Sequence, residues 1–298
     1  RLDNSYQSLQ RVWNSVSSRP GTELTLADFD RLQRAVSDLN ASLGSARSQT
    51  AFLRPVTSLS ANLETSLITL DAAQQLGLAA SDMLTGMGPT LFFLTEGQEE
   101  ESVTTQLSSG ERVVELLGLG RGRFLSAQQH LAEAQRIIEG IDLGLASESM
   151  LVTVNGLMDY HSQLQDINRM LLDSPDLLTA ALGLREAQSY LVLAQNSDEL
   201  RPSGGYISTW GWMTVRSARI SNYYYSASTE TSPNPPPLEM GSQVPVPSWW
   251  IQYRDPVYAA WDSSWYADFP STAKMAAWYY EQGGNPESPV DGVIGIDI

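Results

Sequence analysis

Two arginines and a short row of carboxylates are the residues of this chain whose types suit chemistry. Arg201 sits in Glu199-Leu-Arg-Pro-Ser-Gly-Gly205, and Arg254 is followed directly by Asp255. A guanidinium is planar, permanently charged and bidentate, so both arginines suit a phosphate, with Glu199, Gly204 and Gly205 as further phosphate- or glycan-binding candidates. Asp255, Asp262 and Asp268 offer the hard oxygen ligands that magnesium takes. A structural reading stands beside this one. Arg201 pairs with Glu199 or Asp268 to pin a turn, and Gly204 and Gly205 supply unusual backbone angles.

Other chemistry is excluded by residue type. The chain has no cysteine, which removes disulfides, Cys-ligated zinc, iron–sulfur clusters and thiol catalysis. Its two histidines, His130 and His161, are too few for a His-rich metal site, read as helix-surface residues, and lie outside the half that holds the arginine motifs. A Ser-His-Asp hydrolase and a glycine-rich phosphate loop before a helix are both absent from the text. Glu96, Glu99, Glu100 and Glu101 lack the alternating spacing and glycine of a calcium loop and read as solvated.

The remaining candidates are aromatic. Trp210, Trp212, Tyr223, Tyr224, Tyr225, Trp249, Trp250, Trp261 and Trp265 crowd one region. Exposed rings suit stacking on sugars or a protein interface, and buried ones fill a core. Trp210, Trp212, Tyr224, Trp249 and Trp250 are the contact candidates, with core the competing reading for most. Trp210 and Trp212 share a strand face. Three consecutive tyrosines cannot all face one core, so at least one is expected to be exposed.

The elements that position these residues follow from periodicity. A length of 298 residues fits two domains, and 42% apolar residues supply their cores. Leu26, Phe29, Leu32, Val36, Leu39 and Leu43 recur at helical spacing after a Thr25–Asp28 cap, with Gly44 a stop. Leu59, Leu63, Leu67 and Leu70 start a second helix, which Gly86, Gly88 and Pro89 interrupt. Helical spacing returns over 102–117, 125–141 and 151–172. Residues 1–182 therefore read as an elongated helical bundle. Seven of eight tryptophans and ten of twelve tyrosines follow residue 188, placing a boundary near Ser174-Pro175 or Gly183. Beyond it, a strand over 190–194, a hairpin over 206–225, a Pro-rich connection over 229–247, a helix over 271–282 and a strand over 290–296 spell an α/β module at 188–298. The fold class is thus α plus α/β, and the module, ending on a strand, is expected to be incomplete at its C-terminus.

Net charge is −16, which repels phosphate backbones at long range and argues against nucleic acid. No apolar run approaches the ~20 residues of a membrane span. The start at Arg1 rather than Met leads us to expect a signal or an anchor ahead of this chain.

Tyr190-Leu-Val-Leu-Ala-Gln-Asn196, Glu199-Leu-Arg-Pro-Ser-Gly-Gly-Tyr206, Asp268-Phe-Pro270 and Val290-Asp-Gly-Val-Ile294 together resemble the bacterial family called domain of unknown function 4012, over 188–298. Ala267 departs from that family's usual proline. The resemblance implies an envelope protein, extracytoplasmic, with an N-terminal anchor, a helical region before the module, and further module after Ile298. A more distant similarity is to the LytR-CpsA-Psr glycopolymer transferases, through Arg254-Asp255 and Lys274-Met-Ala-Ala-Trp-Tyr-Tyr-Glu-Gln-Gly-Gly284. It implies arginines that hold the pyrophosphate of a lipid-linked glycan and aspartates that hold a divalent metal. The transferases' Arg-Ser-Asp turn is Glu199-Leu-Arg201-Pro202 here, which takes an aspartate from the metal shell.

The expected function is an anchored envelope scaffold that works without a cofactor and assembles with copies of itself or with other envelope proteins. The alternative is a metal-assisted phosphotransferase acting on a polyprenyl-phosphate-linked glycan, with magnesium.

Overall fold

The computed structural model describes residues 1–95, 108–142, 144, 147–230, 263–264 and 266–298. The chain divides into two compact units, Arg1–Leu178 and Thr179–Ile298.

The first unit is helical: α1 (Leu2–Ser17), α2 (Leu26–Thr50), α3 (Ala61–Thr95), α4 (Ser109–Glu139) and α5 (Glu148–Ala181), the last running on into the second unit. Capping boxes start two of them. In α2, Thr25 and Asp28 exchange side-chain and backbone hydrogen bonds, and in α4 Ser108 and Glu111 do the same. Asp28 is buried and also takes ion pairs from Arg19 at 2.9 Å and Arg31 at 3.2 Å. The core is a ladder of Ala72, Leu76, Ala79 and Met83 from α3, Ala127, Leu131, Ala134 and Ile138 from α4, and Leu157 from α5.

Several expectations change here. Gly44 does not stop α2, which runs six residues further, to Thr50. Gly86, Gly88 and Pro89 lie inside α3; at Gly86 close packing on α4 needs the missing side chain, and a methyl on Gly120 would come within 2.4 Å of the Gly86 carbonyl oxygen. The 125–141 pattern is not a separate helix but belongs to α4. His161 is not on the surface; it is 6% exposed with Nε2 at 3.1 Å from the Leu131 carbonyl, and half-buried His130 bonds to Gln75. The Glu96–Glu101 run lies outside the described residues.

The second unit is a four-stranded mixed sheet in the order β3-β2-β1-β4, formed by β1 (Gln188–Asn196), β2 (Tyr206–Arg216), β3 (Arg219–Ala227) and β4 (Gly292–Asp297). The β1–β2 and β2–β3 pairs are antiparallel, and β4 runs parallel to β1. One helix, α6 (Phe269–Gln282), packs Ala276, Tyr279 and Tyr280 on Leu191, Leu193, Ile207 and Trp210. Successive residues of a strand face opposite sides. The other face therefore carries Tyr190, Val192, Ala194, Gly211, Met213, Val215, Tyr223, Tyr225, Ile294 and Ile296; the Tyr190 hydroxyl donates to the Ala181 carbonyl at the end of α5, Ala194 and Val215 are buried, and Tyr223, Tyr225 and Ile296 stand exposed.

The hairpin tip is anchored. Ser217 and Ala218 both have positive φ, as a two-residue turn requires, and their N–H groups donate to the carbonyls of Gly183 and Leu182 at 2.9 and 2.8 Å. Gly183, itself at φ +60°, must lack a side chain there: a methyl would lie 2.3 Å from the Val215 carbonyl oxygen.

Candidate functional site

The carboxyl ends of β1 and β4 meet the amino end of α6, the place where α/β sheets commonly hold ligands. Between them lies an open hollow of about 280 Å³, lined by Gln195, Ser203, Gly204, Phe269, Gly295 and Asp297 among others. Gln195 is buried and its amide donates to the Ser203 hydroxyl at 3.0 Å, holding the 197–205 turn against the strand ends. Gly204 takes φ +116°, and a methyl on Gly205 would collide with the Asn196 carbonyl oxygen at 2.5 Å. The two glycines thus shape the turn.

Arg201 reaches Glu199 at 3.4 Å, the ion pair expected from the sequence, and its guanidinium stands 5.2 Å from the ring centre of Tyr206. Both partners hold it on the turn, with a third of the arginine side chain still open. Such an open pair contributes little energy, about 0–1 kcal/mol.

Asp268 is the N-cap of α6 and accepts from the Ser271 N–H at 3.0 Å. Hydrogen bonding from the Ser271 hydroxyl, then from its backbone N–H, holds the Asp268 carboxyl below the usual carboxylate range. Of the expected metal set, Asp268 is therefore occupied in capping a helix, and Asp255 and Asp262 lie outside the described residues, as does Arg254. Among the described residues no three His, Asp or Glu side chains form a group that could hold a metal. Asp268 and Asp297 do not by themselves make a magnesium shell.

The aromatic candidates separate. Trp210 is core rather than contact surface: it is 2% exposed and stacks on Tyr280, ring centres 6.1 Å apart. Trp212 is half-buried in the same cluster. Tyr223, Tyr224 and Tyr225 are exposed by 69, 57 and 71%, so the expectation of at least one exposed ring holds for all three. Trp249, Trp250, Trp261 and Trp265 lie outside the described residues.

Sequence reading passed over one feature. Residues 200–229 contain no Asp or Glu and three arginines, in a chain with 34 acidic residues. This run spans β2 and β3, and it is the signal by which the exposed hairpin could have been singled out.

No helix among the described residues is long and apolar enough to cross a membrane. Residues 185–298 match the family described as "Protein of unknown function (DUF4012)", in agreement with the motifs that first pointed to it. No curated protein matches the chain. No solved structure matches it either.

Proposed function

We propose that this chain is an anchored, extracytoplasmic assembly protein of the bacterial envelope, and that its sheet module associates with a second copy. The carrying observation is the part of this sheet face that stays exposed around Tyr223, Tyr225 and Ile296. Tyr223, Tyr225 and Ile296 are exposed there above half-buried Val192, Met213 and Ile294, an apolar and aromatic patch of the composition found at the centres of protein interfaces. None of these residues is charged. At net charge −16 copies of the chain repel at long range, and an uncharged apolar surface is one through which they can still meet. The envelope placement and the anchor rest on what the family resemblance implies.

The test is sedimentation of the chain beside a Tyr223→Ser, Tyr225→Ser double variant. The wild type should associate with rising concentration, and the variant should sediment as a monomer. A wild type that remains monomeric up to about 1 mM, the edge of weak association, would overturn self-assembly.

A second reading, the metal-assisted phosphotransferase, is favoured by one observation: the hollow at the carboxyl ends of β1 and β4 beside Gly204. Incubation with a lipid-linked glycan and magnesium, compared with Arg201→Ala, tests it. Arginine-dependent release of prenyl phosphate would replace the assembly reading with an enzymatic one.

A further inference from the structure

We infer that the outer strip of the β2–β3 hairpin binds an anionic polysaccharide. Arg216 and Arg219 are direct cross-strand partners, both exposed. Like charges in that position destabilise a hairpin, and no carboxylate among the described residues forms an ion pair with either. An incoming anionic group would relieve this repulsion, because two adjacent guanidinium forks offer parallel donors to a carboxylate or phosphate.

The same sheet side continues from the arginines to Asn222 and then Tyr224, which pairs with half-buried Trp212. Asn222 is exposed and brings an amide donor and acceptor of the kind that reads hydroxyls. Tyr224 presents an exposed ring whose negative face suits the C–H bonds of a sugar. From Arg219 to Tyr224, past a bulge and four residue steps along the facing strand from Arg216 to Trp212, the strip spans about 14 Å. A chain of sugars spans that distance, and a single small anion does not.

Charge complementarity is local. The helical unit and the rest of the module carry all the carboxylates, and the 200–229 run carries none. A polyanion repelled by most of the surface is therefore admitted along this strip. A lipid surface fits less well. The turn that would have to enter it is tied through Ser217 and Ala218 to the carbonyls of Gly183 and Leu182, and Ile220 is the one large aliphatic side chain on β3.

The inference concerns the α6 side of the hairpin and is independent of self-association through the opposite face. The probes are polygalacturonate as a uronate polymer, neutral dextran, and phosphatidylglycerol vesicles, each titrated with the whole chain. Polygalacturonate should bind and dextran should not. Arg216→Gln with Arg219→Gln should weaken binding about tenfold or more, the loss of two charge-assisted contacts, and Tyr224→Ser should weaken it separately. The Tyr223→Ser, Tyr225→Ser variant should retain the glycan while losing self-association, so failure of one proposal leaves the other readable. Melting temperatures no lower than that of the wild type exclude misfolding as the cause. Absence of polygalacturonate binding, or equal binding by all variants, would overturn the inference. Vesicle binding that the arginine variant abolishes, without glycan binding, would overturn it in favour of a membrane contact.

Discussion

Arg216 and Arg219 face each other across the Ser217–Ala218 turn, two like charges held at direct cross-strand positions. A hairpin selected for stability alone would place opposite charges there. Arg219→Glu should therefore raise the unfolding free energy by about 0.2–1 kcal/mol, the range of a favourable cross-strand pair. Urea denaturation of the intact chain measures it, and the same variant should lose polygalacturonate. A loss of stability instead would mean that Arg219 makes a contact beyond its strand partner.

Gly86 and Gly120 let α3 and α4 approach backbone to backbone. A methyl on Gly120 would sit 2.4 Å from the Gly86 carbonyl oxygen and 2.9 Å from the Phe124 ring. Backbone cannot rotate away as a flexible side chain can. Gly120→Ala should cost about 3 kcal/mol, the upper range for forcing extra volume into a packed core. Gly118→Ala, about half a turn away with open space around it, should be neutral or slightly stabilising. Equal melting temperatures for the two variants would contradict this contact.

These glycines also explain which parts of the fold could be read from sequence. The strands and hairpin of the module were legible, because Leu191, Leu193, Trp210 and Trp212 alternate and the hairpin turn lies between two β-branched, aromatic runs. The helix stops at Gly44 and Gly86–Pro89 were misread, because local propensity marks them as breaks while tertiary packing keeps them helical. Helix α1 was not singled out, although Leu2, Tyr6, Leu9, Trp13 and Val16 recur at helical spacing; none of its side chains is fully buried. At the candidate site, the Glu199–Arg201 turn was visible as a motif, and the helix-capping role of Asp268 follows from its place before Phe269-Pro270. The unopposed Arg216–Arg219 pair was not visible, because it depends on strand register, and a charge balance taken over the whole chain hides the acid-free run.

Asp28 links the start of α2 to pH. The hydrogen bond from Arg19, then those from the Thr25 hydroxyl and backbone N–H, hold its carboxyl far below the usual carboxylate range. A carboxyl depressed in the folded state contributes stability that is complete above its unfolded value, about pH 4, and is lost as pH falls from there towards the folded value. The thermal stability of the helical unit should therefore fall in acid below about pH 4. Asp28→Asn should be less stable at neutral pH and show a flatter acid dependence. A variant with the same acid slope as the wild type would place that dependence on other carboxylates.

Asp268 separates the two functional readings, because a carboxylate that caps a helix and one that binds a metal respond differently to replacement. As a cap it accepts from the Ser271 N–H at 3.0 Å, and Asp268→Ala should lower stability by about 1 kcal/mol with or without magnesium. Asp268→Asn or Asp268→Ser should restore most of that loss, since either side chain can accept the same N–H. A metal ligand would behave otherwise: magnesium would raise the wild-type melting temperature in proportion to occupancy, and neither Asn nor Ser would recover the effect, because the ion needs the negative charge. The cap geometry leads us to expect no magnesium-dependent shift in the wild type. A shift that Asp268→Asn abolishes would return Asp268 to a metal shell and revive the phosphotransferase.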